Sequence, residues 1–360
     1  MTPGPPVRRL AAVVLAAVLA ATGTVPAASA APAGPAGSAV PAATVVPPAR
    51  ATAAGSGTTV RHVVLEWKGS PARSRQTTSF AVPGIGRISL TCRPDATRIS
   101  LRADSRERET QMWLAKYEDK SYGRAVAVKT VRIYRYAHAS DDGRGGTANP
   151  QHEGLNQRRG KNGVENYAKG YAHGIVSQRG GRNVAVGGDP LRAVTTFDLN
   201  WYWNGFDHPA KYRSCKFDGT FVTRTTPRIG LNWHGEGDAE GHDQQSVRLP
   251  GLGYAQLRCE PGRYGRRTLT LLPDDEAAKA YVETVEGEGR VEDQVETRNL
   301  VTDRATGRLG PLALPTNGMM RIFVEVDKAT TPYVLSSYQK LNDAASWRNT
   351  CEIAMAQFPR

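Results

Sequence analysis

Apolar and polar residues alternate with a period of two over long stretches of the chain. In residues 195–203 the alternation puts Phe197, Leu199, Trp201 and Trp203 on one face, which is expected to be buried. A period of two is typical of a β-strand with one buried face. The same pattern predicts strands at 87–92, 111–117, 125–136, 217–222, 254–259, 267–272, 294–301, 319–326 and 351–358. Helical periodicity is sparse, so an all-β fold is predicted.

The chain also repeats itself. The segment VPGIGRISLTCRP at 82–94 recurs as LPGLGYAQLRCEP at 249–261, and a tryptophan precedes each segment, Trp67 in the first copy and Trp233 in the second. Internal similarity of this kind indicates a duplicated unit. We therefore predict two tandem duplicated antiparallel β-sandwich domains, at 60–224 and 227–360, with the two tryptophans in their cores.

The N-terminus has the features of a secretory signal peptide at 1–30. Two arginines, Arg8 and Arg9, precede an apolar run at 10–21, and small residues at 28–30 suit signal peptidase. The run is shorter than the roughly 20 residues that a membrane-spanning helix needs. The Ala- and Pro-rich stretch 31–59 is predicted to be a linker. These features predict a secreted, extracellular protein without a transmembrane segment.

Four cysteines in a secreted chain indicate disulfides. Four cysteines allow three pairings, and the duplication selects Cys92–Cys215 and Cys259–Cys351. Each predicted domain would then contain one disulfide of its own.

Charge and length distinguish the two copies. Residues 60–225 carry 28 Lys and Arg against 15 Asp and Glu, whereas residues 226–360 carry 16 against 19. The first pair of cysteines lies 123 residues apart and the second pair 92. The surplus is expected in a glycine-rich insertion at 140–190, in which Tyr167 and Tyr171 have helical spacing. A basic domain in a secreted protein is suited to an anionic partner.

The insertion contains the candidate binding residues, two basic runs with tyrosines between them. Guanidinium groups beside glycine amides can bind phosphate or carboxylate, and the tyrosines can stack on sugar or base rings. The candidates are Arg158, Arg159, Lys161, Tyr167, Tyr171, Arg179 and Arg182. An anionic polysaccharide or cell-wall polymer is the expected partner, and nucleic acid is another. A solvated loop with no ligand is the alternative explanation of the same runs.

A metal site is a separate hypothesis, limited to the second copy. Residues 234–243 carry alternating carboxylates and two histidines, of which His234, Asp238 and His242 are the candidate ligands. Oxygen ligands suit Ca²⁺ and imidazoles suit Zn²⁺. The corresponding loop of the first copy has no such residues, and a solvated hairpin loop is the favoured explanation of this segment. No other cofactor is predicted.

No familiar catalytic motif occurs in the sequence. The hypothesis for function is a secreted, non-catalytic binding protein whose first domain binds an anionic extracellular or cell-wall polymer. The alternative is a secreted polysaccharide-active hydrolase that uses a carboxylate pair. A third possibility is self-association through the basic and acidic domains.

Overall fold

The computed structural model describes residues 51–54, 57–69, 76–93, 96–105, 108, 110–120, 126–134, 144–146, 167–179, 191–204, 209–287, 294–342 and 344–359. The predicted signal peptide and most of the predicted linker lie outside these residues. The described part is all-β, with one short helix, α1 (Glu236–Ala239), and two 3-10 turns, Ala210–Tyr212 and Ser346–Arg348. The all-β prediction is therefore confirmed.

The strands divide into two halves along the chain. Half 1 contains β1 (Ala51–Ala54), β2 (Thr58–Lys68), β3 (Gln76–Val82), β4 (Gly86–Arg93), β5 (Ala96–Ala103), β6 (Thr110–Lys120), β7 (Val126–Tyr134), β8 (Arg144–Gly146), β9 (Tyr167–Arg179), β10 (Leu191–Asn204) and β11 (Ser214–Arg224). Half 2 contains β12 (Ile229–His234), β13 (Gln244–Leu249), β14 (Gly253–Cys259), β15 (Arg267–Pro273), β16 (Lys279–Glu286), β17 (Val295–Val301), β18 (Leu309–Ala313), β19 (Asn317–Val326), β20 (Ala329–Lys340) and β21 (Thr350–Gln357). Each strand predicted from the alternation is present.

Each half forms two antiparallel sheets. In half 1, sheet A has the order β1-β2-β11-β10-β9-β6-β7 and sheet B the order β3-β4-β5-β8. In half 2, sheet C has the order β12-β21-β20-β19-β16-β17 and sheet D the order β13-β14-β15-β18. Strands β2 to β11 therefore pair in the same order as β12 to β21, which agrees with the internal repeat.

The equivalence extends to the register of the strands. Trp67 lies opposite Cys215 in half 1, and Trp233 lies opposite Cys351 in half 2. The disulfides are Cys92–Cys215 and Cys259–Cys351, with Cα–Cα distances of 5.7 and 6.6 Å. The predicted disulfide pairing is confirmed.

Two apolar cores fill the space between the paired sheets. Phe197, Leu199, Trp201 and Trp203 all belong to the core of half 1, as the alternation predicted. Trp233 is fully buried in the corresponding core of half 2. The tryptophans of β10 therefore contribute to packing, and only the opposite face of that strand is available for other contacts.

A third apolar cluster joins the halves. Trp113 and Ile175 of sheet A pack with Met319 and Val334 of sheet C. The guanidinium of Arg224 also donates a hydrogen bond of 2.6 Å to the carbonyl oxygen of Gln357. The four sheets consequently stack in the order B, A, C, D.

Two local features differ from what the sequence pattern indicates. Residues 167–179, in which Tyr167 and Tyr171 have helical spacing, form β9 in the interior of sheet A, so the stretch 140–190 contains strands β8 and β9. The glycines of β9 allow aromatic side chains of β10 to cross it, because a Cβ at Gly174 would lie under 3.0 Å from the ring of Phe197. In the predicted linker, Ala51–Ala54 pairs with β2 as an edge strand, since backbone hydrogen bonds need no large side chains.

Candidate functional site

The outer face of sheet B is basic and hydroxyl-rich. Alternation in β4 and β5 buries Ile88, Leu90 and Leu101 in the core, so the intervening residues lie on the outer face. We call this surface the arginine face. It comprises Arg87, Arg98 and Arg102 together with Ser79, Ser89 and Ser100.

The arginines of this surface lie close together. Arg87 and Arg102 are direct register partners on neighbouring strands, which are about 4.8 Å apart in any sheet. Arg98 lies four residues before Arg102 on β5, about 13 Å away along the strand. Arg144 of β8 is the next register partner of Arg102. An anion placed across β4 and β5 would meet the guanidinium groups of Arg87 and Arg102.

No acid neutralises the arginine face within the described residues. The strands of sheet B contain no Asp or Glu. No described residue forms an ion pair with Arg87, Arg98 or Arg102, and both Arg87 and Arg102 are exposed. Guanidinium groups without an ion-pair partner in the described part of the chain are suited to bind phosphate, sulfate or carboxylate groups.

The equivalent surface of half 2 lacks this chemistry. The residues at the register positions of Arg87, Arg98 and Arg102 are Tyr254, Thr268 and Leu272. The arginine face is therefore particular to half 1, and its residues are not needed by the shared scaffold.

Half 2 has arginines elsewhere on sheet D, but acids accompany them. Arg248 lies 2.6 Å from Asp274, and Arg258 lies 3.4 Å from Glu260. These ion pairs reduce the positive potential that an anion would meet. The two outer sheets thus differ in both the number and the pairing of their cations.

The predicted binding residues lie mainly outside the described part of the chain. This applies to Arg158, Arg159, Lys161 and Arg182. For Tyr167 and Arg179 the structure gives only the position on the backbone, at the two ends of β9. The role of these residues stays a prediction.

Tyr171 is described and lies in the contact between the halves. Its ring is 6.0 Å from both Tyr117 and His173, and Arg321 of sheet C lies 5.9 Å above it. Burial raises the pKa of Tyr171 to about 12. The structure therefore places Tyr171 in a sheet, and not in the loop where a stacking partner was expected.

The same contact buries an ionisable group. His173 packs against Tyr117 at 5.7 Å and against Phe358 at 6.0 Å between ring centroids. Burial, together with the positive charge of Arg321, lowers the pKa of His173 to about 3. The imidazole is neutral at physiological pH, so this cluster serves packing between the halves.

The three metal candidates do not form a metal site in the structure. A carboxylate oxygen of Asp238 accepts a hydrogen bond of 2.8 Å from the backbone N–H of His234. The ring of His242 contacts the backbone carbonyl of Asp238 at 2.9 Å, and the ring of His234 contacts the hydroxyl of Thr350 at 2.9 Å. Within the described residues, no three His, Cys, Asp or Glu side chains are grouped to hold a metal ion.

The outer face of sheet A carries two carboxylates on the interior strands β10 and β11. Asp198 pairs with Thr220 and Asp218 with Asn200 across β10 and β11. Burial raises the pKa of the Asp198 carboxyl, and the charge of Asp218 acts in the same direction. Carboxylates in unlike environments are what a hydrolase would use.

Sequence reasoning missed the arginine face, although a signal for it was present. The alternation that marks Ile88 and Leu90 as core residues also places Arg87 on the opposite face. What the sequence did not show is that β5 pairs with β4 so that the arginines align.

Within the described residues, no helix has both the length and the apolar character needed to cross a membrane. No protein-family model, curated protein or solved structure matches the chain.

Proposed function

We propose that this protein is a secreted, non-catalytic binding protein whose first half binds an anionic extracellular or cell-wall polymer. The observation that carries the proposal is the arginine face, an exposed surface with three arginines and no acid on its strands. Half 2 has the same scaffold without these arginines, so their presence in half 1 is best explained by a ligand.

The geometry suits a polymer better than a small anion. The arginines are spread over a flat sheet, whereas small-molecule sites are concave and enclose their ligand. A chain of phosphate, sulfate or carboxylate groups can contact Arg87 and Arg102 side by side and reach Arg98 along β5. Hydroxyls at Ser79 and Ser89, 2.7 Å apart, offer further hydrogen bonds.

The basic runs of the predicted insertion extend this proposal. Strand β8 is the edge strand of sheet B beside β5, and residues 147–166 connect it to β9. This connection carries Arg158, Arg159 and Lys161, and residues 180–190 carry Arg182. We propose that these cations contribute to the same polymer site.

Secretion is also part of the proposal. The signal-like N-terminus motivates it, and two disulfides support it because such bonds form and persist in oxidising compartments. Nucleic acid is a competing anionic ligand, and the binding experiment includes it as a separate arm.

The test is co-sedimentation or filter binding of the full mature chain. The polymers are purified cell walls, alginate and duplex DNA, each at roughly 50 and 300 mM salt. The variant replaces Arg87, Arg98 and Arg102 with glutamine. The control removes the same charge from exposed arginines of half 2, through Arg263→Gln, Arg304→Gln and Arg308→Gln.

The proposal predicts a specific pattern of results. The wild type binds a wall or acidic polysaccharide at low salt, the arginine-face variant binds about tenfold or more weakly, and the control binds nearly as the wild type does. Salt weakens binding, because exposed charges are screened over about 8 Å at physiological ionic strength. Equal losses in the two variants would show a general charge effect and contradict the site. Absence of wild-type binding at low salt would refute the function.

The carboxylates of sheet A favour the hydrolase as a second candidate. A raised pKa at Asp198 beside Asp218 is the observation for it. Release of reducing ends from a polysaccharide, abolished by Asp218→Asn, would establish this activity and overturn the non-catalytic assignment.

A further inference from the structure

We infer that the uncovered part of the outer face of sheet A, on β10 and β11, is a second binding site, for a neutral hexose unit of a polysaccharide. The site is independent of the arginine face, which lies on the other side of half 1. It is a cavity of about 310 Å³ on the outer side of β10 and β11, lined by Asn200, Trp201, Tyr202, Lys216 and Asp218. This volume lies at the small end of the range for ligand pockets.

The cavity exists because sheet C covers only part of sheet A. Where sheet C packs, the outer face of sheet A is apolar, with Trp113, Ile175 and Val194. Beyond that contact the face becomes polar at Asn200 and Asp218. The outer face of sheet A is therefore apolar where sheet C covers it and polar where sheet C does not.

At the positions of half 2 that correspond to Asn200 and Asp218, half 1 covers the outer face of sheet C. Ser336 and Ala354 stand at the positions of Asn200 and Asp218, and both are fully buried. Tyr338 stands at the position of Tyr202 and packs 6.4 Å from Trp113. Half 2 thus has buried residues in the contact between the halves, and half 1 has at the same positions residues that can bind a polar ligand.

The polar groups of the site are held in place. One carboxylate oxygen of Asp218 lies 3.4 Å from His62 Nε2, and the other lies 3.3 Å from Lys216 Nζ. The Asp218 side chain is still 37% exposed, so its carboxylate has acceptor capacity left for a ligand. Asn200 is exposed directly opposite Asp218 on the neighbouring strand and adds an amide donor and acceptor.

One tyrosine supplies a ring surface. Tyr202 lines the cavity between Asn200 and Asn204 on the outer face of β10. Asn204 donates a hydrogen bond of 3.1 Å to the backbone carbonyl of Tyr212, which holds the end of β10 to the turn Ala210–Tyr212. An aromatic ring in a polar cavity is suited to a ligand with one apolar and one polar surface.

This combination favours a sugar over other ligands. A hexose presents C–H groups to an aromatic ring and hydroxyls that both donate and accept hydrogen bonds, which matches tyrosine beside Asn200 and Asp218. The charges of Asp218 and Lys216, which both line the cavity, offset each other, so the site does not favour an anionic unit. Binding is therefore expected to depend little on salt, unlike binding at the arginine face.

The experiment titrates the full mature chain with three neutral oligosaccharides, cellohexaose, mannohexaose and chitohexaose, by calorimetry at low and high salt. At least one of them should bind the wild type. Asn200→Ala and Tyr202→Ala should each weaken that binding about tenfold or more, with little salt dependence. Tyr254→Ala, at an exposed tyrosine on sheet D, is the matched control and should bind normally.

A second measurement uses the unaltered protein, so it does not depend on how the variants fold. The bound oligosaccharide should shift the imidazole NMR signals of His62 and leave those of His242 unchanged. The inference is overturned if none of the three sugars binds, or if binding persists unchanged in Asn200→Ala and Tyr202→Ala. The arginine-face variant should retain sugar binding, so failure here is distinguishable from failure of the polymer site.

Discussion

Replacement of the buried His173 with leucine should remove a specific acid sensitivity of the fold. The imidazole packs among Tyr117, Tyr171 and Phe358, and its Nδ1 atom finds no hydrogen-bond partner among the described residues. The positive charge of Arg321 of half 2 also disfavours a second positive charge, while Asp198 lies opposite His173 on β10. Leucine keeps similar volume and removes an unpaired polar atom, so stability near neutral pH should change little.

The size of this acid sensitivity follows from the shift in the pKa of His173. Burial lowers the pKa of His173 from 6.5 to about 3, so the unfolded chain binds a proton that the folded chain excludes. The contribution of neutral His173 to stability is therefore complete above pH 6.5 and is lost as the pH falls from 6.5 towards 3. Each pH unit in this window costs about 1.4 kcal/mol, which gives about 2 kcal/mol at pH 5.

The assay is urea denaturation followed by tryptophan fluorescence, because Trp113 lies in the same cluster between the halves. Wild type and His173→Leu are each measured near pH 7 and near pH 5. From pH 7 to pH 5 the free energy of unfolding of the wild type should fall by about 2 kcal/mol more than that of the variant. The contributions of the carboxylates are the same in both proteins and cancel in this difference. Identical pH dependence in the two proteins would refute a neutral, buried His173.

Two further predictions concern packing and charge. Gly174→Ala should lower the free energy of unfolding by about 1 to 3 kcal/mol, because a Cβ at this position would lie under 3.0 Å from the ring of Phe197. Gly237→Ala is the control. A Cβ at Gly237 has nothing within 4 Å, so the free energy of unfolding should change by less than about 0.5 kcal/mol. Glu283→Gln should cost about 3 kcal/mol in the same unfolding assay, because Glu283 accepts a hydrogen bond of 2.7 Å from Arg321 with both side chains less than one fifth exposed. The exposed pair of Glu296 and Arg298 is the control, and Glu296→Gln should cost less than about 1 kcal/mol.

Alternation could predict strands and their buried faces, but it could not predict which strands pair. The face of Arg87 follows from its neighbours Ile88 and Leu90 in sequence. Its alignment with Arg102 depends on the register between β4 and β5. Register in turn depends on the turn geometry and on the packing of two sheets, so the arginine face became visible only in the structure.

The glycine-rich stretch shows where sequence reasoning failed. Gly170 and Gly174 lie in the glycine-rich stretch that the sequence predicts to be an insertion, since glycine destabilises regular elements in isolation. In the structure their missing side chains leave room for the rings of Trp201 and Phe197 on the neighbouring strand. The same composition fits a loop and a tightly packed central strand, and only the neighbouring strand distinguishes them.

The sequence by itself determined the all-β class, the cores around Trp203 and Trp233 and the pairing of the four cysteines, because each depends on a local period or on the internal repeat. The tertiary structure alone decided which faces remain exposed. Sheet C covers one side of sheet A, buries His173 and Tyr171, and leaves Asn200 and Asp218 open. Two strands with similar alternation of apolar and polar residues can face either solvent or another sheet. Contacts between residues far apart in the chain determine which of the two occurs.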